Sequence, residues 1–160
     1  MSEIVGIKSL ISKLSSLDLE SAVEQTIRKN IKETVQAQAK ELCPVDTGDL
    51  RGSIKEEVKV SGSEVTGVVS TNSDHATYIE FGTGKVGENT PVADKYPGDL
   101  AYKQDKWKGN IPDVGWRWIA GQPAQPYLYP ALKNNEDKII ENICSDLKAE
   151  IRKVSKKWLM

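Results

Sequence analysis

The sequence is poor in the residues that metal sites and nucleophilic catalysis require. Its 160 residues include one histidine and two cysteines. Cys43 and Cys144 have no C-x-x-C partner, so a zinc site has too few soft ligands, and we predict both to be buried free thiols. His75 directly follows Asp74, and neighbouring residues rarely place their side chains in triad geometry. We therefore interpret His75 as a surface or loop-packing histidine.

Long apolar runs and an excess of either charge are also missing. Mean hydropathy is −0.47, and no stretch approaches the ~18 apolar residues that span a bilayer. The 22 basic and 23 acidic residues give a formal net charge of −1, unlike a protein that grips phosphates. The basic tract at 152–157 is explained by a solvated helix end. The first residues lack the apolar core of a signal peptide, so we expect the protein in the cytoplasm or in a particle assembled there.

Apolar periodicity predicts helices at both ends of the chain. Residues 4–17 carry a weak amphipathic pattern that predicts an accessory or mobile helix. A second helix is predicted from a cap at Asp18 to Pro44, with an apolar residue at mostly every fourth position, so that its apolar band winds around the axis. From Pro130 onward, apolar residues recur at intervals of three and four. These positions are Ile140, Ile143, Leu147, Ile151, Val154 and Trp158.

Three strands are predicted between these helices. Ser53–Val60 and Glu64–Thr71 flank a turn-forming Ser-Gly-Ser sequence and predict a hairpin, and Trp116–Ala120 alternates as a third strand. Residues 82–115 are rich in glycine and proline, and we predict a long loop there, which either orders against a partner or is disordered. The pattern indicates a single α+β domain over residues 1–160, with a small antiparallel sheet packed against a long N-terminal and a long C-terminal helix.

Paired carboxylates are the remaining basis for catalysis. Asp46 lies near Asp49 and Glu80 is a further candidate, but such pairs are common in a chain with 23 acidic residues. A deep cavity where Glu80 and Asp46 converge would indicate an enzyme. The G-x-G-x-x-G match at 82–87 lacks a following helix of useful length, because Pro91 comes soon after it. We predict no catalytic residue, no cofactor and no metal.

Three short blocks stand apart from the amphipathic background. They are Pro-Val-Asp-Thr-Gly-Asp-Leu-Arg-Gly-Ser-Ile at 44–54, His-Ala-Thr-Tyr-Ile-Glu-Phe-Gly-Thr-Gly at 75–84, and Gln-Pro-Tyr-Leu-Tyr-Pro-Ala-Leu at 125–132. In the first block, Asp46 is predicted to cap the following turn and Leu50 to point into the core. We also predict an ion pair between Arg51 and Glu80, which would tie the first block to the second.

In this order, the blocks resemble the head–tail joining, or tail-completion, proteins of long-tailed bacteriophages and prophages. That family carries a V-D-T-G-x-L-R-x-S-I stretch after an N-terminal helix, an A-x-Y-x-E-F-G-T-like stretch, and P-[FY]-L-x-P-A-[LF] before the C-terminal helix. The chain departs from it at Tyr127 and Tyr129, where members often have Phe and Arg, and in its long segment after Thr83. The residues that carry the resemblance are Asp46, Thr47, Gly48, Leu50, Arg51, Ser53, Tyr78, Glu80, Phe81, Gly82, Thr83, Pro126, Leu128 and Pro130.

The resemblance implies a structural protein of the virion that completes the tail or joins it to the head. Its implied partners are connector and tail-tube proteins, together with further copies of itself in a ring. It implies neither a membrane partner nor specific nucleic-acid binding. The alternative is a stand-alone interaction or nucleic-acid-associated module that uses the basic end of the C-terminal helix.

Overall fold

A computed structural model describes residues 19–62, 64–90 and 100–159 of the chain, with side chains described between 21 and 153. The helix predicted at 4–17 lies outside the described residues. The helical elements are α1 (Leu19–Ile31), a π-helical turn (Lys32–Gln36), α2 (Ala37–Leu42), α3 (Asp49–Ser53), α4 (Ala76–Phe81), α5 (Gly84–Glu88) and α6 (Leu128–Leu159). The strands are β1 (Lys55–Ser61), β2 (Glu64–Ser70), β3 (Trp107–Ile111), β4 (Gly115–Ile119) and β5 (Gly121–Gln122).

The first long helix contains a π-helical turn that the sequence pattern did not predict. Ile31, Val35, Ala39 and Cys43 are spaced by four residues and are all buried. In a regular α-helix that spacing drifts around the axis, whereas a π-helical turn contains more residues and offsets the drift. The apolar band therefore stays on the core side in this part of the helix instead of winding away from it.

The predicted β1–β2 hairpin is present and packs on α1. The strands pair antiparallel, with Val58 opposite Gly67. Gly67 lies so close to the helix that an added Cβ would stand 2.8 Å from Cγ2 of Ile27. Lys32 and Glu56 add an ion pair of 3.8 Å between the helical segment and β1. This contact confirms the predicted packing of a small antiparallel sheet against the N-terminal helix.

The C-terminal helix α6 lies antiparallel to α1 and α2. Lys29 Nζ approaches Asp146 Oδ2 at 3.3 Å, and Asn135 Nδ2 donates to Gln38 Oε1 at 2.6 Å, so rising numbers in one helix meet falling numbers in the other. The Asn30 side chain and Lys29 hydrogen-bond to Asp146 and lower the pKa of its carboxyl group. The core between the helices and the hairpin consists of Val35, Ala39, Cys43, Ile54, Tyr127, Ala131 and Ile139.

The prediction of one long loop at 82–115 is wrong in part, because the segment contains α5 and β3. β3 has few apolar residues and forms by pairing with β4. β4 is the third predicted strand, and its bounds lie within one residue of the prediction. Two further corrections concern single residues. Ser53 ends α3 instead of beginning a strand, and Cys144 is exposed instead of buried. Within the described part of the chain, no helix has an apolar stretch suited to crossing a bilayer.

Candidate functional site

Glu80 joins the second sequence block to the third. It lies on α4 and is 4% exposed. Its Oε2 accepts hydrogen bonds from the backbone amides of Tyr127 at 2.8 Å and Leu128 at 2.9 Å, and its Oε1 accepts one from Tyr129 at 2.8 Å. These amides open α6, where the first N–H groups have no partner within the helix and the helix dipole favours a negative charge. A carboxylate distant in sequence therefore caps the C-terminal helix.

The predicted ion pair between Arg51 and Glu80 is wrong. None of the ion pairs in the described part of the chain joins them. Arg51 is exposed, and its guanidinium donates to the backbone carbonyl of Cys43 at 3.4 Å. The charged groups differ in partner because Glu80 faces inward toward the start of α6, while Arg51 closes the loop back onto the end of α2.

The turn in the first block is stabilised by Thr47 and not by Asp46. The Thr47 hydroxyl accepts from the Asp49 amide at 3.3 Å and donates to the Asp49 carboxylate at 2.7 Å. Gly48 is the N-cap of α3 with φ 92°, and no side chain caps it. Asp46 is exposed, so the predicted Asp46 cap is wrong. The Thr47 hydroxyl reaches the amide two residues later and so forms the turn that was predicted for Asp46.

The remaining residues of the first block anchor it to the core. Leu50 packs against the core cluster, as predicted. The Ser53 hydroxyl donates to the carbonyl of Leu50 and hydrogen-bonds to the hydroxyl of Thr71, directly after β2. The first block is therefore held by the core and by the first hairpin.

The second and third blocks run against each other through backbone contacts. Gln125 donates its amide to the carbonyl of Ile79 at 2.7 Å, and the Thr83 hydroxyl accepts from the amide of Gln122 at 3.1 Å. Gly82 has φ 74°, and a Cβ there would lie 2.7 Å from the carbonyl oxygen of Gln122. Only glycine fits both that conformation and that approach. This crossing fixes α4 relative to the start of α6.

Other members of these blocks lie around the crossing. Tyr78 is 54% exposed, and its carbonyl accepts from the Gln122 side chain at 2.8 Å. Phe81 is half-buried, and its carbonyl accepts from the Tyr102 hydroxyl at 3.0 Å. Pro126 is half-buried before α6, and Leu128 packs against the core at the helix start. Pro130 lies in the first turn of α6, where a missing N–H costs nothing.

Tyr127 is a core residue with an unusual polar atom. Its side chain is fully buried, and its hydroxyl has no hydrogen-bond partner among the described residues. Burial raises the pKa of Tyr127 to about 12, with smaller contributions from Cys43 and Glu80. A buried hydroxyl without a partner is destabilising. Tyr127 occupies the position at which the tail-completion proteins that this chain resembles often have Phe.

The titratable side chains of the blocks differ in exposure and in partners. Among the described residues, no group of His, Cys, Asp and Glu side chains is placed to hold a metal ion. His75 and Asp46 are exposed, whereas Glu80 is buried and uses both of its oxygens on backbone amides. Burial raises the pKa of the Cys43 thiol, so this cysteine is held protonated. Because Glu80 holds the second block to the third, we call the junction of the three blocks the brace.

An exposed aromatic arm projects beside this brace. β3 and β4 contact each other far more than either strand contacts any other element. We call this hairpin the tryptophan arm. Trp116 and Trp118 are 68% and 66% exposed and lie on one face, because residues two apart in a strand point to the same side. Lys108 lies over the Trp118 ring at 5.5 Å. Exposed aromatic residues of this size are typical of protein interaction surfaces.

A groove separates the arm from the brace. It has a volume of about 580 Å³ and is lined partly by Tyr78, Phe81, Tyr102 and Trp107. A second groove of about 580 Å³ lies between β2, α4 and the start of α6, and Glu80 is one of the residues that line it.

Sequence reasoning missed the cap made by Glu80, although two signals for it are present. No Ser, Thr, Asp or Asn directly precedes Leu128, so α6 begins without a capping residue of its own. Glu80 stands between Ile79 and Phe81 in an otherwise apolar stretch, which indicates a buried acid that needs a partner. An uncapped helix and an unpartnered acid together indicate this contact.

Comparison with known proteins supports the resemblance over about half of the chain. Residues 8–82 match the family described as "Bacteriophage HK97-gp10, putative tail-component". The match includes the first block and ends within the second, at Gly82. Neither the curated proteins nor the solved structures gave a match. The match confirms, for residues 8–82, the resemblance inferred from the sequence blocks.

Proposed function

We propose that the protein completes the phage tail or joins it to the head, and that it acts by protein–protein contacts in a ring of identical subunits. It would be assembled in the bacterial cytoplasm, become part of the virion, contact connector and tail-tube proteins, and catalyse no reaction. The match of residues 8–82 to a tail-component family supports the general role. The finer role rests on the geometry of the tryptophan arm.

The single observation that carries this proposal is the exposure of Trp116 and Trp118 on one face of a projecting hairpin. A buried aromatic side chain contributes roughly 150–250 Å² to an interface, and tryptophans are enriched among the residues that dominate binding energy. A two-stranded hairpin is marginally stable alone, so contact with a partner would order it further. The exposed pair is therefore costly for an isolated protein and useful for an assembling one.

The brace and the arm divide the work in this proposal. Glu80 fixes the start of α6, and the crossing at Gln122 holds the chain directly after β4. The arm is thus followed in the chain by a segment that hydrogen bonds hold in place. A heterologous contact between this arm and a different surface of the next copy closes into a ring when the rotation is a simple fraction of a turn.

The test is a joining assay in a lysate of a phage that lacks this protein. Purified wild-type protein should restore joined particles, counted by electron microscopy and by infectious titre, and cross-linking of those particles should give a ladder of multimers. Trp116→Ala with Trp118→Ala should weaken the contact by about 2 kcal/mol or more for each tryptophan, roughly 30-fold each. The measurement is the protein concentration needed for half-maximal joining.

The matched control is Val114→Ala, which removes an exposed apolar side chain, 51% exposed, from the turn of the same hairpin. It should join particles as the wild-type protein does. Full activity of the double tryptophan variant would refute the role of the arm. Salt-dependent retention of the protein on DNA would favour the nucleic-acid-associated module instead.

A further inference from the structure

The groove between β2, α4 and the start of α6 has an apolar lining, and we call it the β2 groove. Its lining includes Ile31, Val69, Leu128 and Leu132, and Leu132 is 54% exposed. Among the described residues that line it, Glu80 is charged and none is a lysine or an arginine. An exposed leucine beside an apolar groove is typical of a surface that a partner covers.

We propose that the β2 groove of one copy receives the tryptophan arm of the next copy, with Trp116 and Trp118 inserted into the groove. This inference rests on the proposed ring of identical subunits and names the surface that the arm contacts. Four features support it: the position of the groove, the free edge of β2, the charges of the two surfaces, and the area that the arm can bury.

The arm and the β2 groove of one chain lie on different sides of α4. Thr77 and Phe81 line both the β2 groove and the groove beside the arm, so α4 is the wall between the two grooves. Trp107, at the start of β3, lines the groove beside the arm. An inserting surface and a receiving surface on different sides of one subunit provide the heterologous contact from which a ring is built.

β2 offers a free edge along the groove. Among the described strands, β2 pairs with β1 alone, and the consecutive residues 67–71 line the groove. Because neighbouring side chains of a strand point to opposite faces, consecutive residues line a groove where it follows the edge of the strand. Such an edge presents N–H and C=O groups to an extended partner. A strand of another hairpin is therefore a suitable occupant.

The charges of the two surfaces are complementary. The arm carries Lys108 and Arg117 in its strands and Asp113 in its turn, two basic residues against one acidic. The β2 groove has Glu80 in its lining, and the exposed Asp74 lies directly before α4. Opposite charges favour the encounter of arm and groove over the encounter of two arms, and they orient the contact.

The area that the arm can bury is smaller than a stable dimer needs. Trp116 and Trp118 would together bury roughly 300–500 Å², at roughly 150–250 Å² for each aromatic side chain. Stable interfaces bury about 800 Å² on each partner. A single contact between arm and groove is therefore weak, whereas each subunit of a closed ring makes two of them. This favours the next copy in a ring as the occupant over the partner in an isolated dimer.

Thiol cross-linking between two kinds of full-length copy tests the contact, because it traps weak complexes. One copy carries Asn110→Cys, opposite Trp116 on the arm, and the other carries Ser73→Cys in the β2 groove. Both carry Cys144→Ser, since Cys144 is exposed, whereas Cys43 is buried. A short bismaleimide should join unlike copies at least about tenfold faster than in a mixture whose second copy keeps Ser73 and Cys144, because a docked arm raises the effective thiol concentration.

Two variants should remove the excess cross-linking rate, and a matched control should keep it. Trp116→Ala with Trp118→Ala removes the inserted side chains from the first copy. Leu132→Lys places a positive charge in the groove of the second copy, against the basic arm. The control is Ile140→Lys in the second copy, since Ile140 is 58% exposed on the same helix and does not line the β2 groove.

Three outcomes would overturn the proposal. Equal rates for the thiols at Ser73→Cys and Cys144 would show that the arm does not enter the groove, and this comparison needs neither the tryptophan nor the lysine variants. Cross-linking mainly between like copies through Asn110→Cys would assign the arm to a symmetric contact between two arms. An unchanged rate in Leu132→Lys would place the arm on another surface.

The joining assay separates this inference from the proposed function. Leu132→Lys should fail to restore joined particles, whereas Ile140→Lys should restore them. If Leu132→Lys joined particles as the wild-type protein does, the role in joining would stand and the β2 groove would not be the receiving surface. If the wild-type protein joined no particles but the cross-linking rates were as expected, the contact between copies would stand and the role in joining would be wrong.

Discussion

A buried carboxylate is destabilising unless hydrogen bonds replace the water that it loses. At Glu80 the replacement is complete, since both oxygens accept backbone amides from the start of α6. The same contact provides acceptors for amides that no neighbouring side chain caps. Glu80 therefore provides hydrogen-bond partners both for its own carboxylate and for the first amides of α6. It also connects segments that lie more than 40 residues apart in sequence.

Substitution of Glu80 should lower stability without touching the exposed arm. Glu80→Ala leaves buried amides without acceptors and should reduce the free energy of unfolding by about 3–5 kcal/mol, whereas Glu80→Gln should cost roughly 1–3 kcal/mol, because its NH₂ group cannot accept. Urea denaturation measures both values. Glu141→Gln, an exposed acid on α6, is the control and should stay within about 0.5 kcal/mol. A Glu80→Ala protein as stable as this control would contradict the bracing role.

Tyr127 gives a prediction about alkaline pH. Its pKa is about 12 in the folded protein and about 10 in an unfolded chain. Between these values the unfolded state releases a proton that the folded state keeps, so the Tyr127 contribution to stability is complete below pH ~10 and is lost as pH rises toward ~12. Tyr127→Phe should remove this part of the alkaline loss. At pH 7 it should be neutral or up to about 1 kcal/mol more stable, because an unpartnered hydroxyl disappears.

The measurement is the free energy of unfolding in urea at pH 7 and at intervals above pH 10. Tyr129→Phe is the matched control, since that residue is only half-buried. Parallel pH profiles for the wild-type protein and Tyr127→Phe would contradict the assignment of this alkaline loss to Tyr127.

At the scale of elements, the sequence predicts those helices and strands that are determined by their own local pattern of residues. The two long helices, the first hairpin and β4 each carry their own periodicity or turn residues, and each is present within a few positions of its prediction. β3 could not be predicted in this way. Its sequence, Trp-Lys-Gly-Asn-Ile, is weak as a strand, and Gly109 leaves room for the Ile119 side chain of the opposing strand. Its structure comes from pairing with β4, which no local window contains.

The residues of the candidate site divide in the same way. The first block predicted a turn after Asp46 and a core contact by Leu50, and both are present because they depend on neighbours in sequence, although Thr47 and not Asp46 stabilises the turn. The partners of Arg51 and Glu80 depend on where distant segments meet. Proximity of blocks along the chain suggested an ion pair, whereas in the fold Glu80 accepts from the start of α6 and Arg51 donates to the carbonyl of Cys43. Long-range hydrogen bonds of this kind can be predicted only when the topology is known.

At the scale of the whole molecule, the balance of charge distinguishes the proposed role in tail assembly from the alternative of a nucleic-acid-associated module. A formal net charge of −1 leaves no general attraction to phosphate. At the C-terminal end of α6, Lys153 is already paired with Glu150 at 2.6 Å. The exposed tryptophans of the arm are apolar and respond little to screening by ions. Binding to phage tails should therefore depend weakly on salt, whereas binding to DNA should depend on it steeply.

We expect co-sedimentation of the purified protein with tails to change less than about threefold between about 0.05 and 0.2 M salt, since apolar contacts dominate it. A protein held by many phosphate contacts would lose roughly 10³-fold or more over the same range. Retention on double-stranded DNA should be at background throughout. Trp116→Ala with Trp118→Ala should abolish the tail-bound fraction at every salt concentration, while Lys153→Ala should leave it unchanged. Loss of tail binding in Lys153→Ala together with steep salt dependence would place the contact on the basic end of α6 and not on the tryptophan arm.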